Sequence, residues 1–172
     1  MNNLKQLGLA LVMYADNNNG RIPRPYMSGV RWYWLLGSQG YLPGLPGDPN
    51  STPTVAECPS QGTKRHYGLN QNQDSPSMDT EEKRNKHYNM RRWVNPSLKV
   101  LAGDTSRWDA IGANDEWRWD FKLDEGVSDN DYLNPRHNMG ANILWADFHV
   151  SWVSVAEKPQ GLYEPTAWRL AE

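Results

Sequence analysis

The N-terminal segment carries apolar side chains at helical spacing. Four of them recur every three or four positions: Leu4, Leu7, Leu11 and Ala15. This spacing puts them on one face of an amphipathic helix over residues 1–19. The asparagine-rich end of the segment precedes Gly20, a residue that favours helix termination. The four apolar side chains therefore predict the face by which this helix docks on the rest of the protein.

The second half of the chain changes to strand-like patterns. The sequence KVLAGD is short and apolar, and it predicts a strand that ends at Asp104. Residues 113–126 alternate aromatic or apolar with charged side chains, as a strand with one buried face does. Residues 141–147 and 149–155 predict a hairpin with a tight turn at Asp147-Phe148. The alternating strand is expected to pair with this hairpin.

Composition narrows the class of protein. The 172 residues are treated as one domain, in which the polar stretch 70–87 predicts a surface loop insertion. The formal net charge is −2, without long runs of like charge, which argues against a nucleic-acid partner. Nine tryptophans and eight tyrosines supply much of the buryable area. No run reaches the roughly 18 apolar residues that would span a bilayer.

Two histidine–aspartate pairs are the main candidate for site chemistry. His137, Asp104, Asp147 and His149 could converge into a zinc or other transition-metal site. Alternatively, His137 and Asp147 are strand-terminal groups that brace the base and tip of the hairpin through hydrogen bonds. The residue pattern favours the bracing interpretation, because the spacing matches no metal-ligand signature.

Other residues carry weaker candidate functions. Trp32, Trp34 and Trp108 could form a sugar-stacking platform, although core packing is the competing use of these rings. Acidic residues between 104 and 131 are oxygen donors that suit calcium, but they lack the spacing of an EF-hand. Cys58 is the only cysteine, has no histidine nearby in sequence, and is predicted to be a buried, unreactive thiol.

Several segments together resemble one bacterial family. The opening NNLKQLGLALVMYADNNNGRIP resembles the segment that follows the membrane-spanning part of type IV pilin-like and type II secretion pseudopilin proteins. The similarity continues in order through GYLP, ECPSQG, HYGLN, NPSLKVLAGDT and RHNMGANILWADFHVSWV. The last segment is similar to the family's H-x9-D-G element, with His137 and Asp147 at its ends. Phe148 stands where that pattern has glycine, which implies a different turn or backbone strain.

The resemblance implies an α+β fold in which an N-terminal helix packs on an antiparallel sheet with long irregular loops. It implies a non-catalytic subunit of a pilus-like or pseudopilus filament, whose partners are other pilin or pseudopilin subunits and the secretion machinery. Residues 1–19 would be the C-terminal part of a longer helix, whose apolar part anchors the full-length protein in the inner membrane. The head would face the periplasm or cell surface, and calcium is the cofactor suggested by analogy.

Two other functions remain open at this point. One is a cell-surface module that binds carbohydrate or another polymer through exposed tryptophans. The other is a small metal-dependent hydrolase built around His137 and Asp147. Exposure of two coplanar tryptophans would favour the first, and stoichiometric zinc would favour the second.

Overall fold

The computed structural model describes residues 1–27, 30–43, 54–59, 67–70, 88–107, 120–121, 131–133 and 137–154. Of the predicted surface insertion, residues 71–87 lie outside these ranges, as does most of the predicted alternating strand. Asn70, the first residue assigned to the insertion, is instead the buried last residue of a strand.

Helix α1 spans Asn2–Asn17 and ends where the sequence predicts. The Gly20 amide donates to the Ala15 carbonyl at 2.8 Å, and Asn19 and Gly20 both adopt positive φ, 57° and 80°. These left-handed residues close the helix C-terminus, because they turn the chain while satisfying a carbonyl that lacks an intrahelical partner.

The predicted docking face of α1 lies in the hydrophobic core. All four of its side chains are fully buried: Leu4, Leu7, Leu11 and Ala15. Gly8 lies on the same side, and a Cβ built there would be 3.0 Å from Cδ1 of Leu144. The glycine therefore lets the helix backbone approach the sheet closely.

A short antiparallel pair, β1 (Tyr26–Met27) and β2 (Val30–Arg31), leads into helix α2, Trp32–Ser38. Among the described residues, three 3₁₀ helices follow: Thr54–Ala56, Met90–Arg92 and Pro96–Leu98. The first of them contacts α1, so it adds to the cover over the core. None of the helices among the described residues combines the length and apolar character that a membrane crossing requires.

Six further strands are described: β3 (Tyr67–Asn70), β4 (Val100–Arg107), β5 (Asp120–Phe121), β6 (Asp131–Leu133), β7 (Gly140–Trp145) and β8 (Val150–Ser154). The main sheet has four antiparallel strands in the order β3-β4-β7-β8, and α1 contacts β7. Two short strands join it, β5 beside β3 and β6 beside β4. This arrangement confirms the α+β prediction of an N-terminal helix on an antiparallel sheet with loops.

Two expectations about the strands are wrong. Asp104 does not end its strand, because β4 continues to Arg107 and pairs with β6 from Thr105 onward. The second concerns β5, the described part of the predicted alternating strand. It pairs with β3, in parallel, rather than with the β7–β8 hairpin. Both outcomes depend on which segments meet in the folded chain, and local periodicity carries no information on that choice.

The C-terminal hairpin forms where predicted, with β7 and β8 paired from Gly140↔Ser154 to Leu144↔Val150. Phe148 in its turn has φ 68°, so this non-glycine residue occupies the left-handed region. That conformation costs a non-glycine residue about 1–2 kcal/mol. The ring packs against the core, and this burial offsets part of the backbone cost.

Candidate functional site

Three side chains from distant parts of the sequence meet beside the sheet. Nε2 of His137 lies 3.3 Å from Sγ of Cys58 and 3.2 Å from Oδ2 of Asp104. The ligand-type atoms of all three residues lie within 4.8 Å of one another. Cys58 follows the 3₁₀ helix Thr54–Ala56, Asp104 lies within β4, and His137 precedes β7. We call this set the Cys-Asp-His cluster.

A tight turn holds His137 in position. The amide of His137 donates to the Gly140 carbonyl at 2.9 Å, and the Gly140 amide donates back at 3.1 Å. The two residues between them, Asn138 and Met139, have φ of 51° and 61°. Two central residues with positive φ are the geometry of a type I′ turn. The backbone on both sides of the histidine is therefore anchored.

Trp152 on β8 adds a second anchor. Its indole Nε1 donates to the His137 carbonyl at 2.7 Å. The ring lies directly over Gly140, where a built Cβ would be 2.3 Å from an indole carbon. A side chain at residue 140 would displace the indole, so this glycine is required for the contact with His137.

Asp104 lies where β4 changes partner. The strand pairs with β7 as far as Gly103 and with β6 from Thr105 onward. At this changeover Oδ2 of Asp104 accepts hydrogen bonds from the Asn142 amide at 2.7 Å and from Asn142 Nδ2 at 3.1 Å. The carboxyl group is fully buried, and these donors offset part of its desolvation cost.

Cys58 is 2% exposed and closes the cluster from the side of α1. The carbonyl of its neighbour Glu57 accepts a hydrogen bond from Asn3 Nδ2 on α1 at 2.9 Å. Partial burial raises the pKa of the Glu57 carboxyl. Cys58 is buried as predicted. No histidine is near it in sequence, but His137, 79 residues further along the chain, contacts it in the fold.

The geometry does not match a thiol–imidazole–carboxylate catalytic relay. In such a relay the nucleophile and the carboxylate contact different ring nitrogens, so that the imidazole accepts a proton at one and stays oriented at the other. Here Sγ of Cys58 and Oδ2 of Asp104 both approach Nε2 of His137. The thiol and the carboxylate therefore contact the same ring nitrogen, and the second ring nitrogen is not used by either of them.

The four-residue site predicted from the sequence does not form. Asp147 and His149 lie in the β7–β8 turn, at the opposite end of β7 from His137. There Oδ1 of Asp147 accepts from the His149 amide at 3.2 Å and contacts Nδ1 of the same histidine. The two histidines and two aspartates are thus separated into two pairs, one buried and one exposed. His137 and Asp147 do not meet, and each forms contacts at its own end of the hairpin.

The predicted sugar-stacking residues are not a surface platform. Trp32 is fully buried in the core, which contradicts its proposed role. Trp34 is half-buried against the core, and Trp108 lies outside the described residues. The candidate calcium loop is likewise largely outside them, while Asp104 and Thr105 belong to β4 and are buried rather than exposed loop donors.

Within the described ranges, the Cys-Asp-His cluster is the one group of three metal-type donors. No short sequence spacing could have revealed it, because its members come from three separate segments. The sequence shows the order of the ECPSQG, GDT and RHN segments, but it does not show that their cysteine, aspartate and histidine meet in the fold. The chain matches no protein-family model, no curated protein and no solved structure.

Proposed function

We propose that this protein is a non-catalytic structural subunit of a type II secretion or type IV pilus-like filament. The observation that carries the proposal is the architecture of α1. One face of this N-terminal helix is buried on the antiparallel sheet, while Leu9 and Met13 on its other side are 61% and 44% exposed. Residues four apart lie on the same helix face, so the two side chains form an exposed apolar pair.

An exposed apolar pair on an N-terminal helix suits association between helices of neighbouring subunits. Burying both side chains in a contact removes apolar area from water and stabilises the assembly. In this proposal the partners are further copies of this chain, other pilin-like subunits and the secretion machinery. The protein is held at the inner membrane and its head faces the periplasm or the cell surface.

Cysteine crosslinking in the producing cells tests the assembly. The natural Cys58 is buried, so a cysteine introduced by Leu9→Cys or Met13→Cys would be the accessible thiol. We expect a membrane-permeable bismaleimide to convert either variant into covalent dimers, because each subunit has one accessible thiol and can form one crosslink. The measurement is an immunoblot of whole cells after the reaction.

The matched control is Leu98→Cys, because Leu98 is 62% exposed but lies in the 3₁₀ helix Pro96–Leu98 rather than on α1. A dimer band of the same intensity from Leu98→Cys would indicate random collision. Monomer alone from both α1 variants would contradict the filament proposal.

The two alternative functions have less support. The carbohydrate-binding function depended on exposed tryptophans, and Trp32 is in the core. The hydrolase depended on four converging residues, of which Asp147 and His149 form a separate exposed pair. The exposed apolar pair on α1 favours the structural function, which is the one that we retain.

A further inference from the structure

The Cys-Asp-His cluster contains the donor types that zinc prefers. Zinc ions in proteins are bound by thiolate sulfur, imidazole nitrogen and carboxylate oxygen, usually in tetrahedral geometry. The cluster supplies one of each from Cys58, His137 and Asp104. Calcium is a hard cation that binds oxygen ligands, so sulfur and nitrogen donors do not suit it.

The spacing of the donors fits a tetrahedral ion. With metal–sulfur and metal–nitrogen or metal–oxygen distances of about 2.3 and 2.05 Å, tetrahedral angles separate S from N by about 3.6 Å and N from O by about 3.3 Å. The corresponding separations here are 3.3 Å from Cys58 Sγ to His137 Nε2 and 3.2 Å from that nitrogen to Asp104 Oδ2. The third pair, Cys58 Sγ and a carboxylate oxygen of Asp104, lies within 4.8 Å, and a tetrahedral ion would place it at about 3.6 Å.

Three polar atoms of the cluster lie around one point. Nε2 of His137 carries at most one proton, yet it faces a carboxylate oxygen and a sulfur at hydrogen-bond distance. If Nε2 is protonated, it donates to the carboxylate and the thiol lies beside it; if it is not, the thiol can donate to Nε2, whose lone pair then also faces the carboxylate. A cation at the common point would attract all three donors at once.

Surrounding contacts orient the donors as in a metal site. Asn142 donates twice to Oδ2 of Asp104, and Trp152 and the Asn138-Met139 turn anchor the backbone of His137. Hydrogen-bonded outer partners of this kind hold metal ligands in place and influence affinity. Cys58 and Asp104 are buried, and the His137 side chain is 20% exposed, so access is from the histidine side.

We infer that Cys58, Asp104 and His137 bind one zinc-type divalent ion, with a water molecule as the fourth ligand, and that this ion stabilises the fold. The bound ion would crosslink three parts of the fold: the segment after the first 3₁₀ helix, the interior of β4 and the base of the β7–β8 hairpin. Because binding occurs in the folded state, it would raise the stability of that state. This inference does not use the filament proposal. Because three protein ligands and a water molecule are also the coordination of catalytic zinc, bound zinc would keep the metal-dependent hydrolase as a competing function.

Cobalt substitution gives the most direct test. Protein stripped with a chelator and titrated with Co²⁺ should bind one equivalent and develop a sulfur-to-cobalt charge-transfer band, together with the strong visible bands of tetrahedral cobalt. Since the chain has a single cysteine, that band in the unmodified protein would assign Cys58 as a ligand without any variant. Cobalt binding without the charge-transfer band would overturn the inference.

Zinc binding should also stabilise the protein. With free zinc at 100 times the dissociation constant, we expect the midpoint of thermal unfolding to rise by about 5–10 °C. Cys58→Ala and His137→Gln should each weaken zinc binding by more than about 100-fold, since loss of an outer partner alone typically costs 10–100-fold. Calorimetric titration measures the affinities, and circular dichroism of the metal-free variants verifies that they fold.

The double variant Asp147→Asn with His149→Gln is the matched control, because it removes the exposed histidine–aspartate pair of the same chemical type. It should keep the affinity and the thermal shift of the unmodified protein. Loss of binding in this control with retention in Cys58→Ala would place the ion at the hairpin turn and overturn the inference. Absence of one-equivalent zinc binding by the unmodified protein would also overturn it.

Discussion

Met139 is a methionine in a backbone conformation that favours glycine. It is the second central residue of the type I′ turn next to His137, with φ 61°, and it is 72% exposed. Type I′ turns favour Asn-Gly at their centre, and this chain has Asn138-Met139. The exposed side chain contributes little packing that could offset the backbone cost.

Met139→Gly should therefore stabilise the protein by about 0.5–1 kcal/mol, because it removes left-handed strain while adding some freedom to the unfolded chain. Urea unfolding measures the change. The matched variant Met139→Ala removes the same side chain but keeps a Cβ, and it should lie within about 0.5 kcal/mol of the unmodified protein. Equal stability of the two variants would refute the strain argument.

Phe148 also adopts a left-handed backbone conformation, but its side chain is packed rather than exposed. Its φ of 68° is left-handed, but its ring packs against the core beside α1. Gly8 is near enough that a built Cβ would be 3.7 Å from Cδ1 of the Phe148 ring. The phenylalanine thus couples the hairpin turn to α1 in a way that a glycine could not.

Helix α1 depends on its buried face more than on its intrinsic propensity. Its first turn contains no acidic residue, its last turn no basic residue, and no side chain caps its N-terminus. Charged and capping side chains that favour helix formation are thus lacking, apart from the asparagine-rich stop before Gly20. Packing of the leucine face on the sheet must supply most of the helix stability.

Leu7→Ala should accordingly destabilise the protein by about 2–5 kcal/mol, because it leaves a cavity under α1. The control is Leu9→Ala, the same substitution two residues away on the exposed side, which should change stability by less than about 0.5 kcal/mol. Denaturant unfolding of both variants gives the comparison. Similar losses from both substitutions would show that helix propensity, rather than packing, controls α1.

The stability of the whole protein should carry a pH-dependent contribution from Glu57. Burial raises the pKa of this carboxyl above its usual value of 4.5, so the folded state favours the neutral acid. Its contribution to stability is complete below pH 4.5 and is lost as the pH rises through the folded-state pKa. At neutral pH the charged, half-buried carboxylate therefore destabilises the fold.

Glu57→Gln should match the unmodified protein at acidic pH and be more stable at pH 7. The gain should be below about 1 kcal/mol, because the half-exposed group keeps part of its hydration. Unfolding curves recorded in chelator at several pH values would measure the difference, with metal binding at Cys58 removed from the comparison. A constant difference across the pH range would contradict the burial effect.

Much of the secondary structure was readable from local pattern. Helical spacing identified the buried face of α1, and the asparagine-rich end with Gly20 located its stop. The two apolar runs around Asp147-Phe148 predicted the hairpin. The predicted strand end at Asp104 failed because β6, 24 or more residues further along, extends β4 to Arg107.

The sequence by itself determined the helix, its docking face and the final hairpin, because each depends on side chains within a few residues of one another. Only the tertiary structure decided which strand β5 joins, that Asp104 lies inside the sheet, and that Cys58 meets His137. Those contacts depend on strand pairing and on burial between segments far apart in the chain. Periodicity describes one segment at a time, so it specifies the faces that are buried but not the residues that meet there.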